Sequence, residues 1–179
     1  MHIARKKMKH FIKIFTTTYL MLVILNVYAD RTAGTYVDDS VLHSKVKTEL
    51  VFNDFFGGME INIEVSNGVV QLAGFVDSQK QREKAGKSAE NVAGVIRLSN
   101  QLHVKSGKRS SGQVVDDTLI ASQVKAGLGG DLSINVDVYN GVVLLSGFVN
   151  SPDEKQTAID VAKSIDHVKK IIAGIDTAD

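Results

Sequence analysis

The sequence predicts an α+β fold of two tandem α-β-β-α-β domains, each a three-stranded mixed sheet with two helices packed on it. Three observations predict it: an internal repeat, the spacing of apolar residues within each copy, and the turn and cap residues between segments. The decamer NGVVQLAGFV begins at Asn67 and returns as NGVVLLSGFV from Asn140. The repeat extends in both directions, so the chain contains one unit twice.

The first half of each copy contains a helix and a strand. Apolar residues recur at helical spacing at Leu42, Val46, Leu50 and at Ile120, Val124, Leu128. An aspartate pair stands at the start of each helical pattern, at 38–39 and at 116–117, and we expect it to cap the helix. Apolar and polar residues then alternate, which is typical of a half-buried strand, around Ile61, Ile63, Val65 and around Ile134, Val136, Val138.

The second half of each copy begins at an Asn-Gly pair, at 67–68 and at 140–141. This pair favours a two-residue type I′ hairpin turn, so the decamer is the turn and the returning strand. Ser78 and Ser151 have the N-cap signature of a second helix. That helix has a stripe of small and apolar residues at Ala85, Ala89, Val92 and at Ala158, Ala162, Ile165.

A third strand ends each copy. Its apolar residues are Ile96, Leu98, Leu102 and Val104 in copy one, and Ile171 and Ile175 in copy two. Because a helical crossover separates it from the second strand, we expect the two strands to run parallel. We interpret Gly74 and Gly147, in the second strands, as positions where the second helix approaches the sheet.

The N-terminus predicts export. A basic start is followed by an uncharged stretch, 14–29, that ends in Val27, Tyr28 and Ala29, as in a signal peptide cleaved after Ala29. The alternative is an uncleaved anchor, but the uncharged stretch is shorter than the ~20 apolar residues of a spanning helix. The predicted divisions are a signal peptide (1–29), domain 1 (36–105), a flexible linker (106–113) and domain 2 (114–179). We therefore expect an exported protein.

Composition excludes several function classes. Removing residues 1–29 removes five of the 21 basic residues and none of the 20 acidic ones, which leaves a net charge of −4. A nucleic-acid binder is therefore not expected. The chain has no cysteine, so neither a disulfide nor a lipid anchor on cysteine can form. We expect no catalytic site, metal or cofactor, because the histidines are scattered and no phosphate loop is visible. We expect a monomer.

The order helix, strand, NG-V-V-x-L-x-G-x-V, capped helix and G-V-strand resembles the BON domain of bacterial envelope proteins. Copy one matches with Gly68, Gly74 and Gly94, whereas copy two departs from the pattern at His167. The resemblance covers almost all of the chain after residue 29. It implies a non-catalytic protein that associates with phospholipid surfaces or envelope partners, is induced by osmotic stress, and gives chaperone-like help to exported proteins.

Two features distinguish the copies. Lys80, Lys84 and Lys87 fall on one face of the second helix of copy one, with Arg82 beside them. The positions equivalent to the three lysines in copy two are Asp153, Thr157 and Asp160. The basic face is either a site for anionic lipid headgroups or an acidic partner, or simply a solvated helix face.

The second feature is an insertion of five residues within 51–59, which holds Phe52, Phe55 and Phe56. These rings either form an apolar tip that inserts into a membrane or binds unfolded protein, or complete the core of their own domain. The leading hypothesis is a non-catalytic periplasmic envelope-stress protein that binds phospholipid surfaces and supports the envelope under osmotic stress. The alternative is a periplasmic holdase for unfolded exported proteins.

Overall fold

The computed structural model describes residues 38–51, 61–131 and 133–178, and residues 39–179 form one compact unit. The elements of this part of the chain follow the predicted α-β-β-α-β order twice, which confirms the fold class. They are α1 (38–51), β1 (Asn62–Ser66), β2 (Val69–Val76), α2 (Gln79–Glu90), β3 (Arg97–Val104), α3 (Ser111–Gly127), β4 (Ile134–Tyr139), β5 (Val142–Val149), α4 (Pro152–Lys163) and β6 (Lys170–Thr177).

Each copy forms its own mixed sheet, in the orders β1-β2-β3 and β4-β5-β6. The hairpin strands pair antiparallel and the third strand pairs parallel to the central one, as predicted. Both hairpin turns have two residues with positive φ. Asn67 and Gly68 have φ of 51° and 74°, and Asn140 and Gly141 have 52° and 76°. This is the left-handed pair that a type I′ turn requires.

The expectation that Asp116–Asp117 caps its helix is wrong. The N-cap of α3 is Ser110, whose side chain accepts from the backbone N–H of Gln113 while the Gln113 side chain accepts from the N–H of Ser110. This reciprocal capping box satisfies two helix-terminal donors, so α3 begins at Ser111, inside the predicted linker 106–113. The start of α1 lies outside the described residues, and Asp39 is within the helix.

The second aspartate of each pair holds the hairpin turn of its copy instead. Asp117 accepts from the backbone N–H groups of Asn140 and Gly141, both at 2.8 Å. Asp39 accepts from Asn67 and Gly68 at 2.7 and 2.8 Å. Because the turn residues have left-handed backbones, their N–H groups point to one side, where a carboxylate can accept both. The first helix is thereby fixed to the hairpin.

The second helices start and pack as predicted. Ser78 and Ser151 are the N-caps of α2 and α4, and Pro152 is the first residue of α4. The alanine stripes are buried: the side chains of Ala85, Ala89, Ala158 and Ala162 are at most 1% exposed. Small side chains let each helix approach its sheet closely, and the leucines, valines and isoleucines of the sheet complete the two cores.

Two local expectations are corrected. Ile96 precedes β3 and is 80% exposed, because its side chain lies over Gly68 at the hairpin turn rather than in the core. Gly147 has φ of 124°, and a Cβ there would collide with the carbonyl oxygen of Ser133. Its close neighbour is therefore the backbone entering β4 and not the second helix.

The two copies pack through the faces of their sheets that carry no helices. Residues on these faces hydrogen-bond across the seam in a reciprocal pattern. Asn62 donates to Asp137 at 2.7 Å, and Asn135, the equivalent of Asn62, donates to Glu64 at 2.9 Å. Because Glu64 and Asp137 are also equivalent, the seam is approximately two-fold symmetric.

One position breaks that symmetry. Gln71 is 1% exposed, and its amide oxygen accepts from the N–H of Gly147 at 2.6 Å. Its amide nitrogen donates to the Gly174 carbonyl and to the Asp176 carboxylate, both at 2.8 Å. Asp176 also accepts from Ser99 at 2.8 Å. The equivalent of Gln71 in the second copy is Leu144, so the buried amide satisfies polar groups that an apolar side chain would leave unpaired.

Candidate binding groove between the first two helices

A groove of about 800 Å³ lies between α1 and α2. Three lysines line it, Lys45 from α1 and Lys84 and Lys87 from α2. Hydroxyl side chains lie between them, namely Ser40, Ser44, Thr48 and Ser88. Val41, which is 43% exposed, adds apolar surface, and Glu49 is the one acidic side chain among the described residues of the lining. The groove therefore offers a concentration of positive charge beside hydroxyl and apolar groups.

The predicted basic face is only partly the same as this groove. Lys84 and Lys87 are exposed and belong to its lining, as the shared helix face predicts. Lys80 is exposed on the preceding turn but does not line the groove. Lys45 was missed, because it lies on another helix whose distance from α2 cannot be read from spacing. Its signal in the sequence is that Gln123 occupies the equivalent position in copy two.

Arg82 does not lie beside the three lysines. Residues two apart on a helix are separated by about 200° around the helix axis, so Arg82 lies almost opposite Lys80 and Lys84. Its side chain is half-buried on the side of α2 that faces the sheet. Its backbone carbonyl accepts from the side chain of Asn100 on β3 at 3.1 Å. Its charge also acts on His103: burial, and then the positive charges of Arg82 and Lys170, lower the pKa of that imidazole.

In copy two a valine side chain fills space between the corresponding helices. Gly127 of α3 stands where copy one has Glu49, and Val161 of α4 stands where copy one has Ser88. A Cβ at Gly127 would lie only 2.7 Å from Cγ1 of Val161, so the valine occupies the space that a side chain at 127 would need. Val161 therefore fills space between α3 and α4 that remains open between α1 and α2.

The charge at this place is also different in copy two. The counterparts of Lys45, Lys84 and Lys87 are Gln123, Thr157 and Asp160. Hydrogen bonds from Gln156 and Lys163 lower the pKa of Asp160, so this carboxylate is ionised at neutral pH. The two copies thus share a scaffold and differ in both shape and charge between their outer helices.

Other sequence predictions fall outside this site. The signal peptide 1–29, the cleavage position after Ala29, and Phe52, Phe55 and Phe56 lie outside the described residues. Within the described ranges, no cluster of three or more histidine, aspartate or glutamate side chains is arranged to hold a metal ion. The helices in the same ranges are all too short or too polar to cross a membrane.

The family model for the BON domain matches the chain twice, over residues 38–106 and 116–179. The chain belongs to the BON-domain family. Each match contains one α-β-β-α-β copy, so the repeat in the sequence is a repeat of the BON domain. The groove lies in the first BON domain. The closed helix pair, which is α3 and α4 with Val161 filling the space between them, lies in the second.

Relatives of this BON protein come from several bacteria. It is 38% identical over 144 residues to osmotically-inducible protein Y of Escherichia coli (strain K12), which covers 77% of this chain and 72% of that protein. It is 32% identical over 148 residues to the outer membrane lipoprotein DolP of Haemophilus influenzae, with coverage of 79% and 76%. It is 30% identical over 149 residues to a 21 kDa hemolysin of Actinobacillus pleuropneumoniae, with coverage of 79% and 75%.

These relatives support an envelope-related role for the BON protein. One is named for the outer membrane and another for its induction by osmotic conditions. None of the three names describes an enzyme.

Proposed function

We propose that the protein is a non-catalytic periplasmic envelope protein whose first BON domain binds anionic phospholipid headgroups in the groove between α1 and α2. The observation that carries the proposal is the convergence of Lys45, Lys84 and Lys87 on one groove. Under osmotic stress, this attachment would hold the protein at the membrane surface and support the envelope there.

The chemistry of the groove suits a phosphate diester at the surface of a bilayer. Ammonium groups attract the phosphate charge, and the hydroxyl of Ser88 can donate to its oxygens. The partly exposed Val41 offers a contact for the glycerol or acyl part of the lipid. A basic residue near an anionic membrane contributes about 1 kcal/mol, so three lysines give reversible binding that requires many lipids at one surface.

The affinity should depend strongly on salt. Exposed charges are screened over about 10 Å at 0.1 M ionic strength and over shorter distances at higher salt. Binding through Lys45, Lys84 and Lys87 should therefore weaken steeply as salt is added. Binding through buried apolar surface should not weaken in this way.

The test is co-sedimentation of the protein with vesicles of phosphatidylcholine, with and without phosphatidylglycerol, over a series of salt concentrations. The test variant takes the residues of the second domain: Lys45→Gln, Lys84→Thr and Lys87→Asp. We expect the variant to bind vesicles that contain phosphatidylglycerol at least about tenfold more weakly, because it loses three lysines near the surface and gains an acid.

The control variant has the same change in net charge at exposed lysines outside the groove: Lys47→Gln, Lys108→Thr and Lys163→Asp. We expect it to retain most of the binding. Equal losses in both variants would mean that the whole charge of the protein, and not the groove, governs binding. Binding that is independent of phosphatidylglycerol would reject the lipid proposal.

The alternative function is a holdase for unfolded exported proteins, which would bind them through an apolar tip formed by Phe52, Phe55 and Phe56. An aggregation-suppression assay on the same variants separates the two functions. A holdase that uses these rings should act equally well in the wild type and in the triple lysine variant, and it should not weaken with salt.

A further inference from the structure

A second cleft, of about 660 Å³, lies in the second BON domain along the outer edge of β4. β4 is the first strand in the order β4-β5-β6, so it pairs on one side only. The cleft is lined by four consecutive β4 residues, 136–139. The helix α3 forms one wall, and Phe75 and Lys105 of the first BON domain contribute to the other.

The backbone of β4 presents hydrogen-bonding groups to this cleft. In a hairpin with a two-residue turn, the residues that flank the turn exchange hydrogen bonds, and these residues are Tyr139 and Val142. Bonded and non-bonded pairs then alternate along an antiparallel ladder. Val138 and Val136 are consequently in non-bonded pairs, and their N–H and C=O groups point away from β5. This edge offers the donors and acceptors that an added strand would use.

The side chains around the edge combine positive charge with apolar surface. Lys105, Arg109 and Lys125 come from three different segments and meet at the cleft. The guanidinium of Arg109 lies 4.5 Å, and the ammonium of Lys105 5.9 Å, from the centre of the Tyr139 ring. Val114, 43% exposed, provides an apolar surface on the α3 wall.

Acidic side chains offset part of this positive charge, and among the described residues Lys125 is the basic side chain of the lining that makes no ion pair. Asp117 and Asp137 also line the cleft, so three basic side chains face two acidic ones. Arg109 pairs with Asp117 at 3.2 Å, and Lys105 pairs with Asp77, which is outside the lining, at 2.7 Å. Basic groups stand on both walls, with Lys125 on α3 and Lys105 on the side of the first domain. An occupant with acidic side chains on both of its faces would meet a complementary charge on each wall.

We propose that this cleft binds an extended acidic peptide segment, which adds to β4 as a fourth strand of the second sheet. Strand addition takes its affinity from backbone hydrogen bonds and its specificity from side chains that point alternately to either wall. The partner is thus a protein with an exposed or unfolded segment rich in aspartate or glutamate and apolar residues. This site is separate from the lysine groove of the first domain, so the proposal does not depend on lipid binding.

The test uses a capped, fluorescein-labelled peptide of repeated Val-Val-Glu-Glu, which places glutamates on both faces of an extended strand. A Val-Val-Lys-Lys peptide of the same length serves for comparison. Fluorescence anisotropy with the intact protein should show binding of the acidic peptide and at least several-fold weaker binding of the basic one. Amide hydrogen exchange, measured at a saturating concentration of the acidic peptide, should show new protection at Val136 and Val138. Absence of binding, or protection only elsewhere, overturns the proposal.

Two variants locate the contacts. Val138→Pro removes a donor that points to the cleft and leaves the ladder with β5 intact, since proline is tolerated on the open side of an edge strand. This variant should lower the affinity for the acidic peptide about two- to tenfold, which is the net effect of losing one backbone hydrogen bond. Lys125→Glu alters only an exposed side chain and should lower the affinity for the acidic peptide about two- to fivefold.

The matched control is Lys47→Glu, the equivalent position on α1 of the first domain, which should leave peptide affinity unchanged. If Lys125→Glu and Lys47→Glu act alike, the cleft is not the site. Self-association through β4 is a different occupant of the same edge. A wild type that is dimeric in sedimentation, together with a monomeric Val138→Pro variant and no peptide binding, would reject the proposal in favour of pairing between copies.

Discussion

The two BON domains differ in what lies between their outer helices, although their sheets, turns and caps agree almost position by position. The first domain has a groove with Lys45, Lys84 and Lys87 in its lining. In the second, Val161 packs where a side chain at position 127 would otherwise lie. A glycine in α3 and a valine in α4 account for the filled space in the second domain. Repeated scaffolds can therefore diverge in surface shape and charge at a few positions while their cores remain the same.

The second difference lies at the seam between the domains. The first domain has Gln71 there, and the second domain has Leu144 at the equivalent position. Gln71→Leu should make the seam more symmetric in sequence but less stable, because the Gly147 N–H and the Gly174 carbonyl would lose their buried partner. Each unsatisfied buried group costs about 1–3 kcal/mol, so we expect a loss of about 2–5 kcal/mol in the free energy of unfolding. Chemical denaturation measures it.

The control for this change is Leu144→Met at the equivalent position, which conserves apolar volume and should cost less than about 1.5 kcal/mol. A Gln71→Leu variant as stable as the wild type would mean that the buried amide does not stabilise the packing of the two domains.

The aspartates that hold the turns provide the next comparison. Asp117 is 4% exposed and accepts from two backbone N–H groups and Arg109, whereas Asp39 is only half-buried. Asp117→Ala should lower the free energy of unfolding by about 2–3 kcal/mol, as expected for buried hydrogen bonds to a charged group. Asp39→Ala should lower the free energy of unfolding by only about 1 kcal/mol, because water can hydrogen-bond to the turn N–H groups in place of the half-buried carboxylate. Equal losses would contradict this account.

The closed helix pair can be tested with a double-mutant cycle. Gly127 is the last residue of α3, so Gly127→Ala improves helix propensity by less than the ~1 kcal/mol of an interior position, and its Cβ would meet Val161 and force the helices to shift. We expect a net loss of about 1 kcal/mol from Gly127→Ala alone. Adding Val161→Ser, the residue of the first domain, should relieve the clash, so the two changes should not be additive. Stabilisation by Gly127→Ala alone would show that the helices are not in close contact.

The smallest effect concerns the turn before the third strand. His167 has φ of 66°, where the first domain has Gly94 with φ of 111°. A left-handed backbone costs a residue with a side chain roughly 1–2 kcal/mol, partly offset by the greater freedom of glycine in the unfolded chain. His167→Gly should therefore raise the melting temperature slightly, and a decrease would mean that the His167 side chain makes stabilising contacts.

Much of the fold could be predicted because its signals are local. The Asn-Gly turns, the Ser78 and Ser151 caps and the alanine stripes each depend on residues a few positions apart, and all are confirmed. The role of Asp117 could not be predicted in this way, since a carboxylate at the start of an apolar pattern resembles an N-cap. Its actual partners, Asn140 and Gly141, are more than twenty residues away.

The site was predictable in part for the same reason. Lys84 and Lys87 share a helix face, and helical spacing reveals this. That Lys45 lies across from them depends on how two helices pack, which spacing along one helix does not show. The position of Arg82, by contrast, follows from helical spacing, and placing it beside the lysines was wrong. The seam between the domains was equally hidden, because the polar residues of β1 and β4 that form it have the alternation of solvent-facing positions.

The most direct test of the central claim is a titration of the intact protein with a short-chain phosphatidylglycerol, followed by backbone amide NMR. We predict that the largest chemical-shift changes occur at Lys45, Lys84 and Lys87, and that they diminish as salt is added. The equivalent positions Gln123, Thr157 and Asp160 should change little. Equal changes in the two domains, or changes confined to the second, would contradict the proposal that the first domain's groove is the lipid site.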